Sequence, residues 1–191
     1  MNRLAFLVCL CGLVSPCLAE ERLPQARYER LPSDPAWLVQ VMQIHGHLGP
    51  AVVAGARMGM AGLRSVDAKG FFDIEVICEG PFAKPPRSCF LDGVQAGTGA
   101  TLGKRNLHWV QSESLVLRIK NTQTGKIAEI RPTTTLLKLL AWDKPESKIG
   151  GGTSPGEKTL HEHLEGVTRK IAVIPEKEPV TVTLRGESTP E

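Results

Sequence analysis

Residues 50–64 read Pro-Ala-Val-Val-Ala-Gly-Ala-Arg-Met-Gly-Met-Ala-Gly-Leu-Arg, an apolar helical pattern in which Gly55, Gly59 and Gly62 keep one side small. Each glycine inside a helix is destabilising by roughly 0.5–1 kcal/mol relative to alanine. Three of them in one helix make sense only if another backbone packs closely against it. The fold must therefore press a second element onto this helix.

The rest of the pattern shows what is available to do so. Residues 20–32 are polar with two prolines and predict a loosely packed N-terminal arm. Asp34 is placed to cap a helix with Pro35 at its first position, and Trp37, Leu38, Val41 and Ile44 follow at helical spacing. That helix ends at His45-Gly46-His47, and Gly49-Pro50 starts the glycine-bearing one. Residues 71–78 alternate as a half-buried strand with Phe72, Ile74, Val76 and Cys78 on one face. A proline-rich loop leads to a short helix over 89–95 and then to a Gly/Thr-rich run over 96–103. Strands are expected at 114–120, 127–130, 170–174 and 180–184, helices at 133–141 and 157–169, and a glycine loop at 150–152. Mixed rather than alternating elements predict a single α+β domain over 33–185, a mixed or antiparallel sheet packed by helices, with a frayed tail at 186–191.

Arg3, the apolar run 4–14 and the small-residue site Cys17-Leu18-Ala19 form, in that order, a secretion signal with Glu20 as the mature N-terminus. The run is about half the ~20 residues of a membrane span. No span is expected after cleavage, and the compartment is periplasmic or secreted. Cleavage takes 19 of the 191 residues and one cation, leaving 172 residues with a formal charge of +2 instead of +3. A nearly neutral chain without a dense basic stripe, only 5% aromatic, excludes a nucleic-acid binder. Cys9, Cys11 and Cys17 leave with the signal; Cys78 and Cys89 remain, either as a disulfide suited to an oxidising compartment or as two thiols.

Four segments carry candidate chemistry. His45 and His47 flank a glycine at a helix end, where two imidazoles converge only if the backbone leaves the helix; imidazole is a common ligand for zinc, copper and nickel. Cys89 and Asp92 share a helical face at i and i+3, and a first-turn position would lower the Cys89 pKa. Thr98-Gly-Ala-Thr101-Leu-Gly103-Lys104-Arg105-Asn106 lacks the spacing of a Walker loop, which needs four residues between its first glycine and Gly-Lys: Gly97 leaves five before Gly103, Gly99 leaves three, and Arg105 follows the lysine. It keeps an anion contact open through backbone amides, Thr101 and Lys104. His161-Glu162-His163 is a fourth, weaker metal contact that lacks i, i+4 spacing.

Three of these segments, His-Gly-His-Leu-Gly-Pro, Ser-Cys-Phe-Leu-Asp-Gly-Val-Gln and Thr-Gly-Ala-Thr-Leu-Gly-Lys-Arg-Asn-Leu, stand in the order and spacing of a known family. Over residues 37–107 the chain resembles the FmdE family, named for a component associated with formylmethanofuran dehydrogenase. The resemblance implies an α+β core, often a homodimer, with a cleft that gathers the motif residues around zinc or another divalent transition metal. By position, His45, His47, Cys89 and Asp92 match the metal-binding residues. Thr98, Thr101, Lys104 and Asn106, with Gly103, match the glycine-rich motif and are the expected ligand-binding residues.

This sequence has Gly49 and Ala100 where many members carry cysteine, and no Cys-x-x-Cys pair follows Cys89. A mixed site of His47, Cys89 and Asp92 or water is then the form a zinc site takes. Export separates the chain from methanofuran chemistry, which is cytoplasmic. The expected role is a binding domain for a metal ion or small anionic ligand rather than a stand-alone enzyme. The alternatives are a thiol enzyme with Cys89 as nucleophile and His47 as base, and an accessory subunit of a redox complex docked through the small-residue helix.

Overall fold

Two helices, α2 (Pro50–Ser65) and α3 (Cys89–Thr98), cross with almost no side chain between them. A Cβ on Gly55 would lie 2.1 Å from the Phe90 carbonyl oxygen, and one on Gly93 would lie 1.8 Å from the Val52 carbonyl oxygen. The close approach expected from the glycines is met, and α3 provides it from within the same chain. Further along α2, a Cβ on Gly62 would meet Ile119 Cδ1 at 2.6 Å, so this side of the helix rests on the sheet. The small face that the sequence offered to a redox partner is thus occupied within the chain, by α3 and the sheet.

The computed structural model describes residues 22–142, 157–175 and 177–185. The expected signal at 1–19, the glycine loop at 150–152 and the tail at 186–191 lie outside them. The remaining elements are α1 (Trp37–His45), β1 (Ile74–Gly80), β2 (Leu107–Gln111), β3 (Val116–Asn121), β4 (Ile127–Pro132), α4 (Thr134–Leu140), α5 (Glu157–Val173) and β5 (Val180–Arg185). The strands form one sheet in the order β2-β1-β3-β4-β5. Only β1 and β2 run parallel, with Val76 opposite Leu107; β1–β3, β3–β4 and β4–β5 are antiparallel. The architecture is therefore α+β with a mixed sheet, as the pattern predicted.

Alternation sends Val76, Ile119, Ala128 and Ile130 to one side, where they pack with Leu38, Met42, Met58 and Phe90 in a core of buried side chains. The opposite side carries a charge network. Glu129, almost fully buried, accepts hydrogen bonds from Arg118, Arg131 and Arg185, and Arg118 also pairs with Glu79. Burial alone would raise the Glu129 carboxyl, but Arg131 and Arg118 hold it below the usual value.

Several local expectations change. Asp34 does not cap α1, which starts at Trp37 after Ala36. Its carboxylate instead accepts from the Leu31 amide, the Tyr28 hydroxyl and Arg169 of α5. The N-terminal arm is consequently tied down: the Arg27 amide donates to the Gly46 carbonyl at 2.6 Å, and Arg27 makes a bridge with His47. The first strand begins at Ile74, because the chain turns at Phe71 with φ +64°, and Phe72 is exposed instead of facing inward. α3 continues to Thr98, three residues past the expected end.

Residues 107–111 form an unforeseen edge strand. Residues 170–173, expected to be extended, complete α5. Thr168, Ile171 and Ala172 are buried at helical spacing there, and Arg57 donates to the Ala172 and Ile174 carbonyls at the helix end. Tertiary packing overrides the β-branched local pattern.

Candidate functional site

α1 ends at Gly46, whose φ of +92° places it in the left-handed region and lets its amide donate to the Met42 carbonyl at 2.7 Å. This turn brings His45 and His47 together although they stand two apart, with ring centroids separated by 4.5 Å and planes tilted by 36°. The backbone escape from the helix that convergence required is present.

His45 is held from across the molecule. Its side chain is 7% exposed, and Nδ1 lies 2.8 Å from Asp92 Oδ2 on α3. A carboxylate only accepts, so Nδ1 is the donor in this pair, and in the neutral imidazole this leaves the Nε2 lone pair available. Asp92 is placed by its neighbour Gly93, which lets α3 come within backbone contact of α2. Two sequence motifs 47 residues apart thus join through one hydrogen bond.

Gly49 caps α2 with an extended backbone, φ −149°. A Cβ there would lie 3.6 Å from His45 Nε2, an ordinary contact. A thiol in this position would stand beside the imidazole nitrogen that Asp92 leaves available, and the chain has only hydrogen there.

Cys89 opens α3 and is half-buried; both Cys78 and Cys89 are unbonded, which resolves the disulfide question in favour of two thiols. The first-turn position does not lower the Cys89 pKa. Burial, and then the nearby Asp92 carboxylate, push it up against the opposing effect of the helix amide. Cys78 lies fully inside the core, where burial raises its thiol to about 12.

Beside α3 runs a cleft of about 320 Å3, lined by Cys89, Asp92 and Gln95 on the helix and by Leu102, Leu107 and Trp109 facing them. Gln95, Leu107 and Trp109 were not singled out from sequence. Gln95 lies on the same helical face as Asp92, three residues on, a signal the sequence did contain; Trp109 required recognising β2.

The glycine-rich motif sits differently. Thr98 is buried, donating to the Val94 carbonyl at 2.7 Å and accepting from the Ala100 amide at 3.1 Å. Asn106 accepts from the Thr101 amide and donates to the Phe71 and Ile74 carbonyls. Thr101 Oγ1 accepts from the Lys104 amide at 3.2 Å and from Lys104 Nζ at 3.4 Å. These groups brace the turn after α3, and none of the four lines the cleft. In α5, His163 is exposed, and the side chain of His161 lies outside the described residues.

Among the described residues, no group of three or more His, Cys, Asp or Glu is arranged around a common metal position. The donors present fit two imidazoles, His45 through Nε2 and His47, with the remaining positions open. They do not fit a closed, sulfur-rich site, because Gly49 and Ala100 bring no thiol and the Cys89 thiol is disfavoured as thiolate.

Comparison with known proteins bears on the family and the fold. A family model described as FmdE, molybdenum formylmethanofuran dehydrogenase operon, matches residues 44–181. A curated relative, a probable S-adenosyl-L-methionine-binding protein of Archaeoglobus fulgidus, is 31% identical over 113 residues, which are 56% of this chain and 28% of that protein. The chain therefore spans under a third of that relative's length. A crystal structure of a tungsten formylmethanofuran dehydrogenase FmdE-like protein from Syntrophus aciditrophicus aligns with a TM-score of 0.51 at 18% identity, covering 80% of this chain and 71% of that one; at this identity the likeness bears on the fold alone. The matched span includes all three motifs from His45 to Asn106 and well over half of the sequence, and the chain belongs to the FmdE family.

Proposed function

We propose that this chain is a binding domain that takes a divalent transition metal ion at the His45–His47 pair, with the adjoining cleft open to a small ligand. The observation that carries this is the 2.8 Å contact of Asp92 with His45 Nδ1. A carboxylate on the far nitrogen is how metal-binding histidines are oriented and made more basic. A bound metal would supply a Lewis-acid centre with open positions.

Binding of a small anion receives less support. Thr98, Thr101 and Asn106 are engaged in the turn, and the charge facing the cleft is the Asp92 carboxylate. The thiol-enzyme reading is weakened by the raised Cys89 pKa. Export remains part of the proposal on the strength of Arg3, the apolar run 4–14 and the site before Glu20. Pairing of two copies is supported by the open edge of β2, where Trp109 and Val110 are exposed.

The test is elemental analysis of protein purified without chelator or affinity metal, together with His45→Ala and His47→Ala variants. Stoichiometric zinc, nickel or copper lost in both variants is expected. Metal retained by both, or absent from all three chains after incubation with each ion, would overturn the reading. A second reading comes from the Archaeoglobus relative's name: the Trp109 indole and the Asp92 carboxylate in the cleft offer a stacking face and a counter-charge for the S-adenosylmethionine sulfonium. Calorimetric titration with S-adenosylmethionine checks it, and heat unchanged by Trp109→Ala would count against it.

A further inference from the structure

We propose that the loops 69–72 and 101–105 together form a docking surface for an anionic lipid bilayer. The starting observation is a violation of the pattern. Phe71 and Phe72 read as the start of a half-buried strand, yet they are 59% and 80% exposed, and Leu102 on the neighbouring turn is 69% exposed. A phenylalanine left out of the core forgoes the gain of burying its ring. Two in succession require a reason.

The exposure is built and is not a loose end. The Asp73 carboxylate accepts from the Lys69 and Gly70 amides at 2.9 Å each, fixing the turn that presents the rings. The Phe71 amide donates to the Thr98 carbonyl at 2.9 Å, and Asn106 donates to the Phe71 carbonyl at 2.6 Å, which binds the two loops to each other. Phe71 adopts φ +64°, a strained region for an aromatic residue. The glycine-rich motif thereby acts as the brace that holds the phenyl rings outward.

Cations surround the rings. Lys104 Nζ lies 5.9 Å from the Phe71 centroid and 5.5 Å from that of Phe72, and Lys69 and Arg105 are exposed on the same two loops. The nearby acids are compensated: Asp67 pairs with Lys126, and both Asp73 oxygens face amides. Aromatic rings that enter the headgroup region beside cations that meet lipid phosphates are the chemistry of an interfacial anchor. No helix among the described residues is long and apolar enough to cross a membrane, so the contact is peripheral. A second copy fits less well, because Lys69, Lys104 and Arg105 would face their own counterparts, and two loops fall short of the roughly 20–30 residues a side of a stable interface.

The experiment is vesicle co-sedimentation of the purified full chain and of Phe72→Ser, Lys69→Glu and Arg105→Glu variants, with phosphatidylglycerol-containing vesicles. The apolar run 4–14 is common to all four chains, so the comparison between them reports on the loops. Each variant is expected to keep its thermal midpoint and to bind about tenfold more weakly. Equal binding by wild type and Phe72→Ser, including no binding by either, would overturn the proposal. So would sedimentation equilibrium that finds a dimer split by Phe72→Ser, which would assign the rings to contact between copies. The outcome is independent of the metal reading, because none of the three substituted residues touches the histidine pair.

Discussion

The His-Gly-His and Cys-x-x-Asp motifs and the glycine-rich motif after α3 make opposite use of similar raw material. In the first region, polar side chains from two helices meet each other and leave an imidazole nitrogen available: His45 bonds Asp92, and the His47 ring lies tilted beside it. In the second, Thr98, Thr101 and Asn106 turn their polar groups onto nearby backbone, and what faces outward is two phenyl rings and cations. A motif residue can hold a ligand or hold the chain that holds something else. Chemical type alone does not distinguish the two, whereas the partner of each donor and acceptor does.

The largest effect that would separate the two regions is on the helix crossing. Gly93→Ala should destabilise the protein by about 3 kcal/mol or more, because the added methyl meets the Val52 backbone and not a movable side chain. Urea denaturation reads this directly. A loss below about 1 kcal/mol would mean that the crossing tolerates a shift and does not fix Asp92 against His45.

Asn106→Ala should come next, at about 2–3 kcal/mol, since it leaves the Thr101 amide and the Phe71 and Ile74 carbonyls without their partner. Metal binding at the histidine pair should be unchanged in this variant at a temperature where it remains folded. A parallel loss of metal would erase the proposed distinction between brace and site. Asp92→Asn should show the reverse, with a stability change under about 1 kcal/mol and metal affinity lower by about 10–100-fold, measured by competition with a chromophoric chelator.

The smallest effect concerns the arm that crosses beside His47. Burial alone would raise the Asp34 carboxyl, but the Leu31 amide, the Tyr28 hydroxyl and Arg169 together hold it below its ordinary value. A depressed folded pKa adds stability that is present above the unfolded value and is lost as the pH falls through the folded one. The thermal midpoint should therefore drop below about pH 4, less steeply in Asp34→Asn. Tyr28 has the opposite sign: burial and the Asp34 carboxylate raise it to about 12, so its contribution persists below the unfolded value near 10 and disappears as the pH rises through the folded one. A midpoint equally steep in acid for wild type and Asp34→Asn would show that the arm is not anchored by this carboxylate.

Much of the fold was legible where one physical signal dominated. The glycine spacing of α2 announced a backbone crossing, and the long apolar periods of β3, β4 and β5 gave strands in the right places. The failures are equally specific. Asp34 has the residue type of a helix cap but found a better partner in Arg169, 135 positions away. Residues 170–173 carry β-branched side chains yet remain helical because Ile171 and Ala172 close the core. Phe72 fits the alternation of β1 and still points to solvent, since the Asp73 turn precedes the strand.

By itself, the sequence determined the family, the α+β class and the residues that could carry chemistry, because motif order, hydrophobic period and glycine spacing are local properties of the chain. Tertiary structure alone decided which of those residues meet. Hydrogen-bond partnership depends on approach between segments far apart in sequence: Asp92 reaches His45 because Gly93 lets two backbones touch, whereas Thr98 is satisfied within its own turn and Asn106 is spent on the Thr101 amide and on the Phe71 and Ile74 carbonyls more than 30 residues away.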